Sequence, residues 1–201
     1  MLTTEVRDTK ELGSQQLPAL GFLELSSISR GLFLTDVVLK KAQVRVIASQ
    51  PVSSGKHVLL YIGDVASVDE SHRAALAEGE GTVLRQILIP GVHEQLASFL
   101  DSIWASRPAR GSVEGCIGIV ESTTLAGAIL SADQALKTAD VSLCRMQLGQ
   151  GIGGKAFFVM TGNLEDIEAA LESASQCLKS LDSFCRVDII RRPQDEALAH
   201  F

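Results

Sequence analysis

No stretch of the sequence gathers lysine and arginine into a cluster, and 18 basic residues against 24 acidic ones leave a formal charge of −6. Both observations disfavour a phosphate-tracking surface, so no nucleic acid is expected as a partner. No apolar run approaches the roughly 20 residues that cross a bilayer, and residues 1–17 lack the basic-then-apolar order of a signal peptide. No membrane association is expected, and the sequence reads as cytoplasmic. The four cysteines, Cys116, Cys144, Cys177 and Cys185, all fall in the second half, with no C-x-x-C pair and no histidine at metal-ligand spacing. They read as buried free thiols, with no metal site. His57, His72, His93 and His200 are scattered over different segments, and no Ser, His and Asp set stands out. No catalytic residue is therefore expected.

What is present is a core-forming composition, 46% hydrophobic and 21% charged over 201 residues, which suits one large domain or two of about 100 residues. An internal repeat decides between them. Gly21-Phe22-Leu23-Glu24-Leu25 recurs as Gly118-Ile119-Val120-Glu121-Ser122. At the same offset Asp36, Leu39, Lys40, Ala42 and Val44 recur as Asp133, Leu136, Lys137, Ala139 and Val141. Further on, Gly55-Lys56 matches Gly154-Lys155 and Gly63 matches Gly162, so the second copy carries two extra residues in the intervening loop. The ends correspond loosely, residues 89–96 opposite 190–198, with the register open. The expected organisation is an N-terminal extension over 1–17, a first unit over 18–101, a connector over 102–113 containing Trp104, Arg107, Pro108 and Gly111, and a second unit over 114–201.

Within each unit the pattern predicts strand, helix, strand, strand, helix, strand. Residues 20–25 and 116–121 read as first strands. In the second copy Leu125, Ala128, Ile129, Ala132, Ala135, Leu136 and Ala139 form one apolar helical stripe, with Asp133 and Lys137 paired on its polar side. Two strands about a glycine-containing turn follow as a β-hairpin, then a helix capped by Asp64 or Asn163, then a closing strand. This α/β order is that of a ferredoxin-like sandwich, a four-stranded antiparallel sheet with helices packed on it, and that fold alone names no function.

The series Gly-x-x-Glu, then Asp-x-x-Leu-Lys-x-Ala-x-Val, a Gly-Lys loop, and Gly63-Asp64-Val65 or Gly162-Asn163-Leu164 opening a helix, found twice in order, resembles the bacterial microcompartment shell domain. The tandem arrangement is similar to the single-layer trimeric shell proteins of propanediol-utilisation compartments. The resemblance implies a homotrimer that imitates a hexamer and tiles with hexameric and pentameric shell proteins, with enclosed enzymes as further candidate partners. It implies a central pore lined by Ser53, Ser54 and Gly55 of the first hairpin and Gly151, Ile152 and Gly153 of the second, passing small metabolites that are hydroxylated or anionic. Lys40 and Lys137 match the family's tile-edge lysine, and Arg192 matches an edge arginine for which the first copy has Gly91. Some relatives hold an iron-sulfur cluster through a cysteine at the position of Ser53. Serine is a poor ligand for one, so neither cluster nor other cofactor is expected.

Two other readings compete. Gly149 to Lys155 fits the Gly-x-x-x-x-Gly-Lys phosphate loop, but Ala156 stands where Ser or Thr would bind Mg²⁺, and Phe157-Phe158-Val159 reads as a strand. A tandem ferredoxin-like sensor of a small effector is the second; it would bind one ligand saturably and form no sheets.

Overall fold

The computed structural model describes residues 17–104 and 110–198. The expected extension, except Leu17, lies outside these residues, as do Arg107, Pro108 and His200.

The first unit runs β1 (Ala19–Leu25), α1 (Ile28–Lys41), β2 (Arg45–Val52), β3 (Lys56–Gly63), α2 (Val65–Glu78) and β4 (Val83–Ile89). The second repeats it as β5 (Cys116–Ser122), α4 (Leu125–Thr138), β6 (Ser142–Leu148), β7 (Ala156–Gly162), α5 (Leu164–Ser180) and β8 (Phe184–Ile190). The sheets are ordered β2-β3-β1-β4 and β6-β7-β5-β8, antiparallel throughout, which is the expected ferredoxin-like architecture twice over. Local chemistry sets the helix starts. Ser27, Asp64, Thr124 and Asn163 each cap one, their side chains accepting hydrogen bonds from Arg30, Ser67, Gly127 and Asp166 backbone N–H groups.

The duplication extends to irregularities. Bulges fall between Glu24 and Leu25 and again between Glu121 and Ser122, and between Val46 and Ala48 and again between Leu143 and Arg145. Leu20 pairs with Ile89 and Ile117 with Ile190, which closes the register that the sequence left open and places Gly91 opposite Arg192. Two helices go beyond the six-element expectation: α3 (Glu94–Ser102), begun by His93, whose Nδ1 accepts from the Gln95 N–H, and α6 (Asp195–Leu198).

The units are not independent bodies. One face of the first sheet, with Leu23, Leu25, Leu59 and Tyr61, is filled by residues of α1 and α2 such as Leu34, Val38 and Val68. The opposite face, with Leu20, Phe22, Leu60 and Ile89, belongs to a cluster that continues through Leu96 and Leu100 of α3 into Leu125, Ile129 and Leu136 of α4. Helix α4 thus packs against β1 and β4 of the first unit as well as β5 and β7 of its own. Its small residues, Ala126, Gly127, Ala128, Ala132 and Ala135, permit that double packing, and all are buried.

This corrects one expectation. Asp133 and Lys137 do pair, at 2.5 Å, but Asp133 is buried at the boundary between units rather than on a solvated face. Its other oxygen accepts from the His93 N–H at 2.8 Å, and Lys137 also donates to the Gly91 carbonyl at 2.5 Å. Among the cysteines, Cys144 and Cys177 are buried as expected, while Cys116 and Cys185 are only partly covered; all four are free.

Candidate functional site

The two hairpin loops of the expected pore, distant in sequence, lie against each other. The first turns through Ser53–Gly55, with Ser54 and Gly55 both left-handed, at φ of 69° and 70°. Glycine accepts this conformation freely, whereas serine adopts it at some cost. The second spends left-handed residues freely, at Gly149, Gly151, Gly153 and Gly154. The Ser53 N–H donates to the Gly149 carbonyl at 3.3 Å, and the Ser53 hydroxyl accepts from the Gly151 N–H at 3.1 Å. Ser53 therefore joins one loop to the other, and Ser54, Gly55, Ile152 and Gly153 belong to the same two adjoining glycine-rich turns.

Behind each loop sits an ion pair. Lys56 donates to Glu24 at 2.8 Å, and the Glu24 carboxylate is fully buried. Lys155 reaches Glu121 at 3.3 Å in a more open setting, where the Cys185 thiol donates to the same carboxylate oxygen at 3.0 Å. The thiol first, and Lys155 second, hold Glu121 below the ordinary carboxylate range, and Glu121 in turn raises the Cys185 thiol. Since each lysine is matched by a glutamate, the loop bases add no net charge.

The three residues expected at a tile edge separate into different environments. Lys40 is exposed and, among the described residues, pairs with Asp36 on its own helix, at 2.6 Å. Arg192 is exposed beyond β8. Lys137, by contrast, bridges the two units. The glycine-rich segment ending at Lys155 leads into strand β7, not a helix, so it has no helix N-terminus to hold a phosphate. Among the described residues no group of three or more His, Cys, Asp and Glu lies placed to hold a metal ion.

Two copies of one sandwich, coupled through a shared core and with their hairpin loops side by side, match known proteins in the same arrangement. The BMC-domain profile matches residues 19–92 and again 116–193. The chain belongs to the BMC-domain family. A bacterial microcompartment shell protein, PduT of Citrobacter freundii, is 31% identical over 179 residues, covering 88% of this chain and 94% of that one. The crystal structure of a microcompartment protein from Desulfitobacterium hafniense superposes with a TM-score of 0.80 at 32% identity, covering 90% of this chain and 97% of that one. A fused, permuted hexameric shell protein from the RMM microcompartment superposes at 0.59 with 22% identity, covering 82% of each chain, and supports the fold alone. This BMC protein is a structural tile of a microcompartment shell and not an enzyme. No described helix is long and apolar enough to cross a membrane.

What sequence reasoning missed is the asymmetry between the first helices of the two units. Helix α1 exposes Ile28, Leu32, Phe33 and Leu39 at 39, 58, 46 and 51%. The counterparts on α4 are Leu125, Ile129 and Leu136, all buried, and Leu130, which packs against the same core. The apolar spacing on α1 was readable as a stripe; that the described residues leave it uncovered was not.

Proposed function

We propose that three copies of the chain close head to tail into a pseudohexameric ring with a polar pore on its axis, and that these rings tile a shell. The apolar face of α1, left uncovered by the described residues, is the observation that carries the reading. Inside one chain, the same face of α4 is covered by the second face of the first sheet. The second sheet has an equivalent face, with Ile117, Ile119, Phe157, Val159 and Ile190. Docking α1 of one copy onto that face of the next repeats an interface the chain already contains. Such a head-to-tail contact closes into a ring when its rotation allows.

The same repetition brings Lys40 toward Arg192 of the next copy, as Lys137 meets Gly91 within the chain. Lys40, Lys137 and Arg192 would then stand at the ring's rim, where adjoining tiles, hexameric or pentameric, could meet them. The touching loops would repeat about the axis, with Ser53, Ser54, Gly55, Gly151, Ile152 and Gly153 around a neutral opening. Hydroxyl and backbone groups there can replace part of the water shell of a small hydroxylated or anionic metabolite. The loops' unequal lengths make the opening threefold.

Light scattering on the purified protein, followed by electron microscopy for flat sheets, tests the assembly, with the mass of three chains and extended sheets expected. A monomer or dimer that never tiles refutes it. For the pore, a Ser54→Cys variant treated with a short trifunctional maleimide should yield three chains linked together. Unlinked chains from an intact trimer would take the loop off the axis. Ser54 is used because the Ser53 hydroxyl is already committed to Gly151.

A further inference from the structure

Beneath the exposed helix α1 lies a buried histidine that the second unit lacks. His57, on β3, is wholly inaccessible, and its ring packs directly against Gly31 of α1, where a Cβ would overlap the imidazole. One ring nitrogen, Nε2, meets the Ser49 hydroxyl at 3.0 Å; Ser49 meets the Thr35 hydroxyl of α1 at 2.6 Å; and Thr35 donates to the Gly31 carbonyl at 2.9 Å. The other nitrogen, Nδ1, is buried without a hydrogen-bond partner. At the equivalent places the second unit has Ala156, Ala128, Met146 and Ala132, so nothing there can titrate.

We propose that His57 is an acid-sensitive prop under α1, so that its protonation dislodges the helix and opens the contact between chains. The inference rests on α1 being the helix that docks on the next copy. Burial alone favours neutral imidazole and lowers the pKa of His57. Around the ring lie Gly31 on α1, the Ser49 hydroxyl on β2 with Thr35 of α1 behind it, and the cross-strand neighbours Leu25 on β1 and Pro51 on β2. None is a carboxylate. The adjoining charges are engaged with one another: Arg30 of α1 pairs with Glu80, and Lys56 pairs with Glu24 on the other face of the sheet. A proton on His57 would therefore be an uncompensated buried charge, relieved by letting α1 move away and water enter. The sign follows from linkage. The free imidazole takes its proton near pH 6.5 and the buried one only at lower pH, so the native packing weakens as pH falls below about 6.5.

The test compares the fraction of trimer across pH 7.5 to 5 for the wild type, for Gly31→Ala/His57→Ala, which copies the second unit's pair, and for His57→Gln, which keeps a donor toward Ser49 but cannot titrate. His72→Leu, which copies Leu171, is the control for the other buried histidine. The wild type and His72→Leu should lose trimer together on acidification, while the two His57 variants retain it to lower pH. If the His57 variants dissociate at the wild-type pH, or if His72→Leu alone moves the midpoint, the proposal is overturned. Absence of a trimer at pH 7.5 in the wild type would instead defeat the ring on which it rests.

Discussion

Lys40 and Lys137 occupy the same place in the repeat, yet the structure predicts different outcomes for them. Lys40→Ala removes an exposed intrahelical pair and should change unfolding free energy by no more than ~0.5 kcal/mol while weakening sheet formation. Lys137→Ala leaves the buried Asp133 carboxylate with only the His93 N–H to answer it, and should cost about 1–3 kcal/mol in urea denaturation. Equal losses from both would contradict the placement of Lys137 between units. Glycines at the two first strands divide in a similar way. Gly21 lies so close to the Tyr61 ring that a methyl group there would overlap it, and Tyr61 is held by a 2.6 Å hydrogen bond to His72, itself bonded to Gln86 at 2.8 Å. Gly21→Ala should thus destabilise by about 1–3 kcal/mol through overpacking. Gly118, where a Cβ would lie 3.2 to 3.4 Å from carbons of Ile167 and Leu171, should tolerate alanine better, and thermal melts of the two variants would rank them.

At the level of elements, α1 and α4 provide the clearest contrast. Leu32→Asp alters a side chain that is more exposed than covered in the single chain, so the chain should still fold, with wild-type circular dichroism, but its mass in solution should fall to one copy. Ile129→Asp, the corresponding change on α4, buries an unpaired charge and should prevent folding altogether. Most of the elements were legible beforehand because period-two and period-3.6 patterns occur twice and check each other. The ferredoxin-like arrangement, the Asp64 and Asn163 caps and the hairpin loops followed from that, whereas the Ser27 and Thr124 caps were not read. Helix α3 was not read, although Leu96, Phe99, Leu100 and Ile103 have helical spacing, because the repeat fades there. Nor could the pattern reveal that Asp133 and Lys137 are walled in by the first unit, since an i,i+4 pair reads the same on a solvated face. His57 and His72 looked scattered for a related reason: each is completed by residues from other elements, Ser49 and Thr35 for one, Tyr61 and Gln86 for the other.

For the molecule as a whole, the apolar cluster that runs from Leu20 and Phe22 through α3 into α4 ties both sandwiches into one cooperative body. Calorimetry should record a single unfolding transition, whereas two separated transitions would mean that the shared core contributes little. The covalent join between the units has a further consequence, for assembly kinetics. A ring gathered from separate sandwiches must recruit every member from solution, and its yield collapses steeply on dilution. In the proposed ring every second contact would be formed as the chain folds, at an effective concentration set by the tether instead of by the amount of protein present. Fewer encounters would remain before closure, and the two kinds of sandwich would have to alternate around such a ring, so each could diverge from the other without the order ever being scrambled.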